Sequence, residues 1–71
     1  MDKQKALKYY MLAAEKGFAE AQCTCAFMYI KGEGVERDVE EALRYFELAA
    51  AQGHQGAQRN LARFKSENAR R

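Results

Sequence analysis

The sequence contains no proline. Nothing in it removes a backbone donor or forces a kink, so uninterrupted helices are open to the whole chain. It holds one histidine, His54, and two cysteines, Cys23 and Cys25. Two cysteines two positions apart on a helix point in different directions, which suits neither a disulfide between them nor a shared metal. With no second cysteine pair and no histidine cluster, no zinc site is expected, and no cofactor. A Ser-His-Asp or Cys-His catalytic set cannot be built around a single histidine in a turn, and Glu40 and Glu41, adjacent on a helix, diverge. The sequence therefore reads as non-enzymatic. No apolar run approaches the roughly 18 residues of a membrane span, and no signal peptide is visible. Together with two unpaired thiols this points to a reducing, cytoplasmic setting. The formal net charge of +2 is too small to call for a nucleic-acid partner. The basic residues that follow His54 (Arg59, Arg63, Lys65, Arg70 and Arg71, against Glu67) read as a solvated terminal helix with a basic tail.

What is present is a repeat. Ala6-Leu7-Lys8-Tyr9-Tyr10-Met11-Leu12-Ala13-Ala14-Glu15-Lys16-Gly17 returns as Ala42-Leu43-Arg44-Tyr45-Phe46-Glu47-Leu48-Ala49-Ala50-Ala51-Gln52-Gly53. The offset, Ala6 to Ala42, is about 36 residues, within the period range of helical repeat proteins. The match also pairs Asp2 with Asp38 and runs on through Ala21-Gln22 and Ala57-Gln58 to Ala26 and Ala62. In both copies small residues permit close approach of a neighbouring helix, paired aromatics fill the space beside them, and a glycine ends the helix. Hydrophobic residues make up 48% of the chain and charged residues 31%, the balance of helices with one packed and one wet face.

The pattern predicts an all-α fold of four antiparallel helices near 3–16, 19–31, 38–52 and 55–68, with no strand. Asp2 caps the first helix, with Ala6, Tyr9, Tyr10 and Ala13 on its packed face. The second has an inward stripe of Ala21, Cys25, Met28 and Tyr29 and a separate stripe of Glu20, Cys23, Phe27 and Ile30 or Lys31. Gly32-Glu33-Gly34-Val35 is a turn and not a dinucleotide fingerprint, since no strand precedes it and the third glycine is missing. Asp38 and Glu41 form a capping box for the third helix, where Ala49 is expected at a close helix contact. Ala57, Leu61 and Phe64 make the apolar stripe of the fourth. His54, between the third and fourth, reads as an exposed connector.

Ala21-Gln22, Met28-Tyr29, Gly32-x-Gly34-Val35, Asp38, Ala42, Tyr45-Phe46, Ala49-Ala50 and Gly53 resemble the Sel-one-like repeat (SLR) family, a tetratricopeptide-related α/α repeat solenoid. The resemblance covers most of the chain. It departs where the family has Leu-Gly and this chain has Cys25-Ala26, and again after Ala62, where Phe64-Lys65 replaces Met-Tyr and no Gly-x-Gly follows. In one branch of the family disulfides staple the helix pairs; by resemblance those cysteines would fall at Ala14 and Gln22. The resemblance divides the chain into a half repeat (1–17), one full repeat (18–53) and a terminal half repeat (54–71). Such a chain reads as a piece of a longer array, or as a unit whose open ends are covered by association.

The resemblance implies a protein–protein interaction scaffold that holds a peptide or partner surface on the concave face of helices two and four. Helical geometry then selects Glu20, Cys23, Phe27, Ile30 and Lys31 on helix two and Arg59 and Arg63 on helix four. Phe27 would be the apolar anchor, and Arg59 with Arg63 would hold a carboxylate. The alternative is that Phe27 only closes the core. A self-associating structural module is the second functional class, a homodimer joined through Leu7, Tyr10, Met11 and Ala14 of helix one. Cell-wall or ligand-processing activity, proposed for some relatives of the family, is a distant third.

Overall fold

The structure is a computed structural model and describes residues 2–69, with side chains through residue 67. Arg70 and Arg71 of the expected basic tail lie outside the described residues. Four helices follow one another: α1 (Lys3–Glu15), α2 (Ala19–Lys31), α3 (Val39–Ala51) and α4 (Gln55–Ala69). Every boundary falls within a residue of the sequence expectation, and no strand occurs among the described residues.

The helix ends are set by local chemistry. Asp2 caps α1, its carboxylate accepting from the Gln4 amide at 2.9 Å. Asp38 caps α3 in the same way, accepting from the Glu41 amide at 3.1 Å. The capping box expected there is only half formed. The Asp38 amide donates to the Tyr29 carbonyl at 3.0 Å instead. This frees the Glu41 carboxylate to pair with Arg44 along the helix. The helices stop at glycines in the left-handed region: Gly17 and Gly53, at φ 95° and 88°, follow α1 and α3 at equivalent repeat positions. Gly34 is fixed by a neighbour as well as by φ, for a β-carbon there would stand 2.6 Å from the Lys3 carbonyl oxygen. The α2–α3 loop thereby seats on the first turn of α1.

Each helix packs mainly against its neighbours in sequence, α2 against α3 most extensively. The result is a slab of about 36 × 25 × 16 Å. Phe46, Cys25, Ala26, Ala42, Ala49 and Ala57 are wholly buried, so the close contact expected at Ala49 is present. Two aromatic pairs join α2 to α3: Phe27 meets Phe46 edge-on at 5.3 Å, and Tyr29 stacks on Tyr45 at 5.8 Å. Because α2 lies between α1 and α3, it buries two sides rather than one. Cys23, placed by sequence on the partner-facing stripe, is therefore in the core with 6% exposure.

Gln22 is the buried polar residue of α2, and it is fully used. Its side-chain amide donates to the Ala14 carbonyl at 3.1 Å, and its amide oxygen accepts from Gln52 at 3.0 Å. Its counterpart in the next copy, Gln58, donates to the Ala50 carbonyl at 3.1 Å. The same side-chain-to-carbonyl bond thus ties consecutive helices in both copies.

Candidate partner-binding surface

A groove of about 240 Å³ runs between α2 and α4. Phe27, Ile30 and Lys31 form one wall, spaced i, i+3, i+4 on α2; Asn60, Arg63, Phe64 and Glu67 form the other, spaced i, i+3, i+4, i+7 on α4. Phe27 answers to both readings that the sequence left open. Its edge sits against Phe46, yet 36% of the residue remains in solvent. Ile30 and Phe64 are half-buried and pack on the core, so the groove has an apolar floor. The Lys31 ammonium lies 5.9 Å from the Phe27 ring centroid, within cation–π range. Arg63 belongs to the opposite wall, and Glu67 stands one turn further along α4. An apolar floor with two cations on its rims and one carboxylate at its end can hold a hydrophobic side chain beside an acidic one.

Of the seven residues selected from sequence, Phe27, Ile30, Lys31 and Arg63 meet in this groove. Glu20 does not; it lies at the other end of α2, with its carboxylate 2.9 Å from His54 Nε2. Arg59 is exposed and outside the groove lining. Cys23 is withdrawn into the core. Sequence reasoning missed Asn60, Phe64 and Glu67 as groove residues. With Arg63 they form one helical stripe, and that spacing was the available signal, but Phe64 had been assigned wholly to the core.

His54 is also more than a connector. Its Nδ1 accepts from the Ala57 amide at 3.0 Å, which caps α4, and the Nε2 side is then the donor toward Glu20. Both thiols are free and buried. Burial raises Cys25 from the ordinary thiol value of 9.0 to about 11, and burial together with the Glu20 charge also raises Cys23. Such thiols are protonated at neutral pH and poor nucleophiles. Among the described residues no group of three or more His, Cys, Asp or Glu could hold a metal ion, and no helix is long and apolar enough to cross a membrane.

A second surface lies on α1. The face expected to join two chains is largely covered. Leu7 and Ala14 are buried, and Tyr10 and Met11 are half-buried, because this stripe is the one that packs inward on the core. The apolar groups that α1 exposes are Tyr9 and Leu12. A groove of about 310 Å³ beside Tyr9 is lined by Asp2, Lys5, Ala6, Tyr9 and Tyr10.

Comparison with known proteins places these features in context. The family model described as Sel1 repeat matches residues 2–18 and 19–54. Among solved structures, the crystal structure of a Sel1 repeat protein from Oxalobacter formigenes is similar over 92% of this chain, with a TM-score of 0.90 and 34% identity. The chain spans 27% of the length of that protein's chain. No curated protein matches.

Proposed function

The chain belongs to the Sel1 repeat family, and on that premise we propose that the groove between α2 and α4 binds a short segment of a protein partner. Sel1 repeats commonly act as protein-interaction modules, and the fold is a non-enzymatic repeat scaffold. The observation that carries the finer reading is Phe27, a large aromatic left part-exposed in the wall of a groove that is also lined by Lys31 and Arg63. The segment it suits has a hydrophobic residue followed by an acidic one. The hydrophobic side chain rests on Phe27, Ile30 and Phe64, and the carboxylate pairs with Arg63 and Lys31. Glu67 repels a second acidic residue at that end. A cytoplasmic location accords with the two unpaired thiols.

The test is selection from a displayed random-peptide library, followed by measurement of the selected peptides against variants. Apolar–acidic sequences should be enriched. Arg63→Glu and Lys31→Glu, both at exposed positions, should each weaken binding roughly tenfold or more while helicity and melting temperature hold. Arg59→Glu, outside the groove, should leave binding unchanged. Peptides that bind all three variants equally well would show that the groove assignment is wrong.

A further inference from the structure

His54 stands at the start of α4 with a partner on each ring nitrogen. Its Nδ1 accepts from the amide of Ala57, the third residue of the helix, at 3.0 Å. Its Nε2 lies 2.9 Å from a carboxylate oxygen of Glu20, in the first turn of α2. The ring is seated where a side chain is missing: a β-carbon on Gly56 would stand 3.1 Å from His54 Cε1. Gly56 occupies the repeat position that Glu20 holds on α2, and His54 occupies that of Phe18. Phe18 makes no side-chain cap. Of two equivalent turns, one is therefore closed by a titratable ring and the other is not.

We propose that His54 is a proton-operated latch on the first turn of α4: neutral, the ring holds the turn; protonated, it keeps Glu20 and releases Ala57. The neutral ring has one acceptor nitrogen, and here that nitrogen is Nδ1. Protonation puts a hydrogen on it and sets two donors face to face. It also places a positive charge at the positive end of a helix. Toward Glu20 the effect is the reverse, since the bond from Nε2 to the carboxylate becomes charge-assisted on both sides. Ala57 is wholly buried, so its released amide reaches water only if the turn opens. Imidazole is the side chain that ordinarily changes charge between about pH 5 and 8, so mild acid is the signal.

The surroundings leave these two contacts to decide the outcome. The next titratable group along α2 is the buried Cys23 thiol, which burial and the Glu20 charge keep protonated in this range. The last turn of α3 carries no basic side chain, and its Ala49 carbonyl accepts from the His54 amide at 3.2 Å. The first turn of α4 carries no acidic side chain. Along the chain, the first charged residues on either side are Glu47 and Arg59. The carbonyl end of α3 favours a charged ring, as Glu20 does. The ring therefore stays, and the turn of α4 is the side that gives way. The latch lies apart from the residues that line the groove between α2 and α4, and it does not depend on what that groove binds.

Nuclear magnetic resonance of the 71-residue chain, followed from about pH 8 to about pH 5, tests this. At the upper pH the ring nitrogens should report the tautomer protonated at Nε2. On acidification the Ala57 amide, corrected for its intrinsic exchange rate, should lose protection about fivefold, the usual contribution of a cap. Ala21, its counterpart on α2, should hold its protection throughout. His54→Asn, a cap that does not titrate, should keep Ala57 protected at both ends of the range, and His54→Ala should leave it weakly protected at both. Four results would each overturn the proposal: Ala57 protection that ignores pH in the parent chain, the same loss in His54→Asn, an equal loss at Ala21, or a ring protonated at Nδ1 in the neutral form.

Discussion

Tyr9 and Tyr45 stand at the same place in the two copies, on helices of the same length and nearly the same pattern, and their surroundings are opposite. Tyr45 is 7% exposed, stacked on Tyr29 with the Arg44 guanidinium 5.7 Å from its ring; Tyr9 is in solvent, touching Tyr10 edge-on. The residues one position on follow suit: Phe46 is wholly buried and Tyr10 half so. A repeat pattern thus states which face of a helix is made to be covered. What covers it is decided by the neighbouring helix: among the described residues α2 covers this face of α3, and none covers it on α1.

Paired substitutions can break that comparison. The largest effect is expected at the aromatic positions. Phe46→Ala should cost about 3–5 kcal/mol, enough to unfold much of so small a domain, whereas Tyr10→Ala should leave a cooperative urea transition. Next come the small residues. Ala49→Leu should overpack the α2–α3 contact and cost about 1–3 kcal/mol in denaturation midpoint. Ala13→Leu, at the equivalent but only half-buried position of α1, should cost far less. The two glutamines sharpen the contrast at smaller scale. Gln22→Ala removes two hydrogen bonds at a buried position, to the Ala14 carbonyl and from Gln52, and should cost about 1–2 kcal/mol, against roughly half that or less for the exposed Gln58→Ala.

The smallest effect near neutrality is the response to pH. Burial raises Cys25 to about 11 in the folded chain, and raises Tyr29 and Tyr45 as well. These groups ionise more readily when unfolded. Between the unfolded and folded values the unfolded chain binds fewer protons, so stability is fully present below about pH 9 and falls as pH rises toward 11. Thermal melts from pH 7 to 10.5 should record a flat region and then a decline, and Cys25→Ala should shallow that decline.

Much of this organisation was legible in the residues. The Ala, Tyr-aromatic and Gly spacing of the two copies located all four helices, and Asp2 and Asp38 marked two of their starts. Periodicity was less informative on α2, because a helix between two others buries two stripes, and the stripe of Cys23, Phe27 and Ile30 looked free when only one neighbour was counted. Phe27 could not be assigned to core or surface from its spacing, since it serves both. His54 as a cap was not legible either. Its counterpart in the preceding copy is Phe18, which makes no side-chain cap, so the repeat gave no hint of it. Asn60 and Glu67 were passed over for a simpler reason: polar residues on a helix acquire a role only when an opposite wall is placed beside them.

The neighbour-by-neighbour packing of the four helices has a consequence for how the molecule opens. A fold whose helices couple mainly to their neighbours in sequence need not come apart all at once. It can lose α4 or α1 while the rest persists. The α2–α3 pair, which holds the edge-on phenylalanines, the stacked tyrosines and the most extensive contact, would then be the slowest region to exchange its amide hydrogens, with α4 the quickest. One wall of the groove proposed to bind a partner therefore stands on the most extensively packed helix pair, and the other on α4, which packs mainly on α3.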